Sequence, residues 1–481
     1  MSTSETSNLT STSPFNWKSL FQLVLSALAA LLLLGVAALV AVTSVLQYFN
    51  QGSGSSDLTQ SFMVAASLAF AGVLVLPSAW YAWKNLAYPG PEPKPRPEPK
   101  GFGTILTLLV LVVVPGALWL GNWVSQYNQL AWFVLPILNI IANGLPAFWL
   151  VYIGIRGLNP GSPRRQWGVF ASGLVLSPAI ILVLEALALI GYGVLAILWS
   201  VFNPSITSQL QVLLLRLQST SPNQEAILQI LLPFLLRPGI LFAAFAFISV
   251  IVPIIEEAFK PIGVWFLAGQ KLTPAQGFAF GVLCGAGFGL FENLGNTSGG
   301  SEAWAILASA RITTLLLHCL TTGMVGWALA SAWNQKRYLR LGVTYAFAVV
   351  LHGLWNGMAV LSSISSLEGQ VDIAIPTNLQ QIGNLSSIIV IALLAFNLIL
   401  YISFNAVLRN SIYPNASLST GDGEPANLTL GGSTPTEQIG SLSTSTPSSS
   451  SVNISTLPIP ARDEQFLTAL DKPPVNPESN P

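Results

Sequence analysis

Ten apolar runs, each of about 20 residues or more, divide this chain, and about 20 residues is the helical length that crosses a ~30 Å hydrocarbon core. Their approximate limits are 21–47, 62–83, 103–126, 131–155, 167–202, 239–268, 275–296, 304–333, 342–365 and 383–408. Asp, Glu, Lys and Arg make up only 8% of the 481 residues, hydrophobic residues make up 52%, and the mean hydropathy is +0.63. The fold class that follows is all-α, a polytopic transmembrane helix bundle of about 10 spans in a lipid bilayer. The fifth run is overlong, and Pro178, Gly191 and Gly193 predict a bend within it. A formal net charge of zero leaves no basic surplus, which argues against nucleic acid as a partner. Cys284 and Cys319 lie inside apolar runs and read as buried thiols, not as a disulfide framework.

The N-terminal segment 1–20 is polar and lacks the basic start of a cleaved signal peptide, so the first span is expected to be retained. N-terminal transmembrane helices occupy 21–202, interrupted by a Pro-rich linker, "YPGPEPKPRPEPKG" (88–101), which reads as an extended spacer. Residues 203–238 alternate apolar positions with Gln, Ser and Arg at helical spacing, predicting one or two amphipathic helices against the membrane surface. A second membrane region takes 239–408. From 409 to 481 Ser, Thr, Pro, Gly and Asn dominate, and a disordered tail is expected.

Short loops orient the chain. Lys84, Lys94, Arg96 and Lys100 follow the second span, Arg156, Arg164 and Arg165 the fourth, Lys271 the sixth, and Lys336, Arg337 and Arg340 the eighth. The opposite loops carry Asp57, Glu302, Glu368 and Asp372, apart from Arg216 and Arg237 in the long 203–238 segment. Both termini are therefore expected in the cytoplasm of a prokaryotic plasma membrane. A reporter fused after residue 410 should read as cytoplasmic and one inserted within 297–302 as external; reversed readouts would overturn this orientation.

An ionised group at the bilayer centre costs roughly 2.5–3.5 kcal/mol on insertion scales, so charges inside spans mark function. Here they gather in four consecutive helices. The sixth span holds Glu256, Glu257 and Lys260 in "VIVPIIEEAFKPIGVWFLAG", and the seventh holds Glu292 and Asn293 in "GAGFGLFENLGN". The eighth carries Arg311 and His318, and the ninth His352 and Asn356 in "LHGLWNG". Both histidines of the chain are in this set. The first five spans contribute only Glu185, for which a buried carboxyl hydrogen-bonded to a neighbouring helix is one reading and a functional role the other.

Residues three, four or seven apart share a helix face. Lys260 can thus reach both Glu256 and Glu257, Arg311 lies on the side of His318, and His352 on the side of Asn356. Gly281, Gly285 and Gly289 form a stripe for close helix approach, and Glu292 continues that face into the bundle. Pro261 predicts a kink beside the paired carboxylates. Carboxylates deprotonate water or bind metal, neutral imidazole is a zinc ligand, and Asn or protonated His can donate to an oxyanion. Together these groups describe water-mediated amide hydrolysis.

The elements "EEAFK", "FGLFEN", His318 in the next helix and "HGLWN" resemble the signature of PrsW-type intramembrane proteases, relatives of the CAAX prenyl endopeptidases, over about residues 250–360. The resemblance implies that Glu256 and Glu257 are the double glutamate, Glu292 the acidic position of a second motif, and His318 and His352 the family histidines. His352 with Asn356 also resembles the oxyanion element of the CAAX-type relatives. The pattern departs from those relatives at Glu292, where they have His, and at Lys260, which replaces their Arg at shorter spacing. The implied activity is that of an endopeptidase acting on a membrane-anchored protein or peptide.

The PrsW-like group is classed with metalloproteases, which makes zinc the expected cofactor. His318 and His352 would supply its nitrogen ligands, and a glutamate, Glu257 among the candidates Glu256, Glu257 and Glu292, its carboxylate. The metal-free alternative uses Glu256 as base, Glu257 and Lys260 to tune it, and His352 with Asn356 for the oxyanion. The rival class is a transporter or proton-coupled carrier using the same buried groups. Against it, the charges form one contiguous run with no matching set in the first half.

Overall fold

The computed structural model describes residues 16–51, 55–90, 99–219, 224–235, 237–299, 303–365 and 377–412. These fall within one compact unit that runs to Thr420. The expected disordered tail beyond 412, linker residues 91–98, most of the polar N-terminal segment, and Glu302, Glu368 and Asp372 lie outside the described residues. Every regular element among the described residues is helical.

The first four spans are α1 (Trp17–Gln51), α2 (Ser55–Ala87), α3 (Phe102–Val124) and α4 (Asn128–Ile155). The fifth is built from α5 (Pro163–Ala171), a π-helical segment (Ser172–Leu176) and α6 (Ser177–Val201). Two shorter helices follow, α7 (Pro204–Ser219) and α8 (Gln224–Leu235). The sixth span comprises α9 (Pro238–Ala246), a second π-helical segment (Phe247–Ile251), α10 (Val252–Phe259) and α11 (Ile262–Trp265). The last four are α12 (Pro274–Thr297), α13 (Trp304–Gln335), α14 (Tyr338–Ser365) and α15 (Thr377–Ile412). Ten helical stretches are long and apolar enough to cross a membrane, one for each apolar run. Leu28, Leu31 and Leu32 on α1 are 59%, 69% and 65% exposed, as lipid-facing side chains should be.

Both π-helical segments stand just before a proline at the second position of the next helix, Pro178 and Pro253. A proline has no N–H for the carbonyl four residues back, so the ladder at Leu174 and Ser249 must be rearranged, and a π turn does so without ending the helix. The fifth span is therefore interrupted ahead of Pro178, while Gly191 and Gly193 stay inside α6. The Ser249 carbonyl has a second use. A Cβ at Gly353 of α14 would run into it, so that glycine lets α14 lie directly on the π segment.

α12 and α13 form the centre of the bundle, with 89% and 83% of their apolar windows buried. Thr273 starts α12 by a reciprocal cap: its hydroxyl accepts from the Gln276 N–H at 3.2 Å, and the Gln276 side chain accepts from the Thr273 N–H at 3.1 Å. Beyond it the glycine stripe meets α13 backbone to backbone. A Cβ at Gly277, Gly281 or Gly285 would strike the carbonyl oxygens of Gly326, Thr322 or His318 respectively. That contact holds His318 against the helix bearing Glu292. Gly285→Leu should lower stability by about 1–3 kcal/mol, the usual range for overpacking, read as a lower melting temperature in detergent; an unchanged melt would show that the two helices are not locked.

The first half of the chain is attached by a buried polar network. Asn139 donates to the Ser67 hydroxyl (3.2 Å) and accepts from the Trp304 indole (3.0 Å), Ser67 meets Ser298 at 2.9 Å, and Asn143 donates to Thr297 at 3.2 Å. α2 and α4 are thereby pinned to the α12–α13 corner, where hydrophobic contact alone gives little direction because lipid is equally apolar.

Candidate active site

Lys260 closes the α10 turn, its amide donating to the Glu256 carbonyl at 2.7 Å, and Pro261 then breaks the helix before α11. The expected kink is thus a clean interruption that turns the Lys260 side chain inward. Its ammonium is fully buried. Nζ lies 2.8 Å from Glu256 Oε2, 2.9 Å from Glu257 Oε1, 2.9 Å from His318 Nδ1 and 3.3 Å from His352 Nδ1. Below it the Phe288 ring centroid is 4.9 Å away. Four residues expected to converge, Glu256, Glu257, His318 and His352, therefore meet at a cation supplied by the chain itself.

The hydrogen bonds assign the imidazole protons. An ionised Glu257 can only accept, so His352 Nδ1–H donates to its Oε1 at 2.8 Å, leaving Nε2 as a lone pair 3.8 Å from Glu256 Oε2. His318 Nε2–H donates to Glu292 Oε2 at 2.8 Å, leaving Nδ1 to accept from Lys260. Glu292 is held in turn by Arg311, 2.6 Å from Oε1, and Arg311 is fixed by Asn293, which accepts from its Nε at 3.1 Å and donates to its carbonyl at 2.8 Å. Each histidine thus has its own carboxylate, the pattern that orients metal-binding or catalytic imidazoles. The two rings stand edge to face with centroids 5.5 Å apart.

Three of the expected site residues can offer ligand atoms within 4.8 Å of one another: Glu256, His318 and His352. The carboxylate in this group is Glu256; Glu257, the expected ligand, is not in it, and its Oε1 lies against His352 and Lys260. Glu257 Oε2 is buried without a hydrogen-bond partner among the described residues. Three carboxylates face two cations, Lys260 and Arg311, so with neutral imidazoles the cluster carries one excess negative charge. Two imidazoles, a carboxylate and that excess fit a divalent metal ion.

Asn356 stands apart from this group. Its amide donates to the Ile248 carbonyl of the π segment at 3.3 Å. Glu185 lies on α6. Its Oε1 is buried without a partner among the described residues, and it feels the charges of Glu256, Glu292 and Lys260. Its only signal in the sequence is being the single charge in the first five spans.

Residues 166–394, just under half of the chain, match the model of the PrsW family of intramembrane metalloproteases. Over these residues the chain is similar to that family. No curated protein and no solved structure matches it. The match supports an intramembrane protease, hence a hydrolase, and does not favour the carrier reading. The PrsW match begins in α5, well before the double glutamate, and so takes in Glu185 and the π-helical segment before Pro178 as well as the four charged helices.

Proposed function

We propose that this protein hydrolyses a peptide bond of a membrane-anchored substrate at the point where Glu256, His318 and His352 converge. The observation that carries the reading is the pairing of each imidazole with its own carboxylate, which turns His352 Nε2 toward Glu256 and His318 Nδ1 toward Lys260. Glu256 is slightly exposed, with 8% of its side chain accessible, and Glu257 is sealed at 0%. We assign the base to Glu256, the more open of the two, which takes a proton from the attacking water while the oxygen adds to the scissile carbonyl carbon. The C–N bond then breaks as the same proton passes to the leaving amine, giving a carboxylic acid and an amine, between which the remaining proton then equilibrates. Lys260 offsets the charge that gathers on the oxyanion.

Glu256, His318 and His352 would also hold a divalent metal, zinc by its ligand chemistry, which when bound polarises the carbonyl and acidifies water. Glu256 would then bind instead of carrying the proton, and Glu292, with 30% of its side chain accessible, is the carboxylate left to accept it.

The test of function is quantitative proteomics on membranes expressing wild type or Glu256→Gln. A membrane protein that accumulates intact in the variant and is cut in wild type supports hydrolysis; identical profiles would sink it. Metal content separates the two forms of the site. If metal is held, purified wild type should carry about one equivalent and His318→Ala and His352→Ala little, with chelation and zinc add-back removing and restoring cleavage.

A further inference from the structure

Away from the charged cluster, a cavity of about 850 Å³ opens between α1, α5, α6 and α11. Lys18, Arg164 and Arg165 stand at one end, and among the described residues no acidic side chain lines it. The three cations share a level. Gln22, one turn past Lys18, donates to the Arg164 carbonyl at 3.0 Å, and the Phe21 and Phe266 rings meet edge to face at 6.3 Å. That level is also where the first and fifth spans begin and the sixth ends. The basic end therefore sits at one membrane–water interface, on the side the basic loops assign to the cytoplasm.

From Lys18 the lining follows α1 past Gln22 and Ser26 through otherwise apolar residues to Leu32, and from Arg165 it follows the fifth span to Ala179. Fourteen residues of helix advance about 21 Å. One leaflet with its headgroup is also about 20–22 Å deep, half of a ~40–45 Å bilayer. A cavity basic at the interface, apolar below and one leaflet deep matches a single molecule with a negative head and hydrocarbon tails. We propose that it is a binding site for an anionic phospholipid, its phosphate held by Lys18, Arg164 and Arg165 and its acyl chains running toward Leu32 and Ala179.

The occupant would touch Phe266, six residues beyond Lys260. Lipid binding is nevertheless independent of proteolysis and can be measured without a substrate. The full chain in detergent is titrated with dioleoylphosphatidylglycerol or dioleoylphosphatidylcholine and followed by native mass spectrometry. Wild type should bind the anionic lipid at least about tenfold more tightly, as expected for three interfacial cations. Lys18→Gln/Arg164→Gln/Arg165→Gln should erase that preference, and Lys336→Gln/Arg337→Gln, elsewhere on the surface, should keep it. Ala179→Trp, which fills the apolar part and leaves the charges alone, should weaken binding of both lipids and covers the case in which the triple variant misfolds. Equal affinity for the two lipids, a preference that survives the triple variant, displacement by inorganic phosphate alone, or a peptide recovered in place of lipid would each overturn the assignment.

Discussion

Replacing Lys260 by Met should destabilise the protein by about 3–5 kcal/mol, the usual cost of removing one partner from a buried ion pair. The ammonium is fully enclosed and lies within 2.9 Å of both Glu256 and Glu257, so its loss leaves two buried carboxylates with no cation between them. A drop in melting temperature of roughly 5–10 °C in detergent is expected for a domain of this size. Neutralising a carboxylate as well, in Lys260→Met/Glu257→Gln, should recover part of that loss, a coupling that a double-mutant cycle reads directly. The substitution also clears a cation from the Glu256–His318–His352 group. Metal affinity of whatever Lys260→Met folds should therefore rise above wild type. A variant that melts like wild type would show that the lysine does not hold the pair together.

The spans are legible in the sequence because a single quantity, hydropathy over about 20 residues, decides them. The glycine stripe is legible because spacing alone puts Gly281, Gly285 and Gly289 on one face; Gly281 and Gly285 meet the α13 backbone at Thr322 and His318, and Gly289 meets the Leu315 and His318 side chains. The position of Lys260 is only half legible. Spacing predicts its pairing with the two glutamates, but its contacts with both imidazoles depend on how α13 and α14 dock, which no local pattern encodes. The division of labour between adjacent glutamates is hidden for the same reason: a 100° turn of the helix faces Glu257 to His352 Nδ1 and Glu256 to its Nε2, and the helix phase is set by tertiary packing. The π turns ahead of Pro178 and Pro253 are missed because a proline signals a lost hydrogen bond without saying how the chain absorbs it.

Glu256→Gln and Glu257→Gln, adjacent and chemically identical changes, should have very different effects on cleavage. Glu256 is the carboxylate proposed as base and faces the lone pair of His352, and glutamine at that position neither takes a proton nor binds a metal well. Removing a general base typically costs 10²–10⁴-fold, and because a metal ligand would be lost at the same position, Glu256→Gln should fall by about 10³-fold or more. Glu257 acts one step removed, by accepting from His352 Nδ1–H at 2.8 Å. A glutamine oxygen still accepts that hydrogen bond and keeps Nε2 unprotonated, so Glu257→Gln loses charge but not geometry. Its cost should resemble that of other groups that orient a histidine, about 10–100-fold. Glu257→Leu, which leaves Nδ1–H with no acceptor in a sealed site, should do worse than Glu257→Gln. The measurement is the cleavage rate on the substrate identified by membrane proteomics, with the amount of folded enzyme in each preparation matched by detergent melting. If Glu257→Gln proves the more damaging of the two glutamine variants at equal folded protein, the proton is carried by Glu257 and Glu256 is the group that supports it.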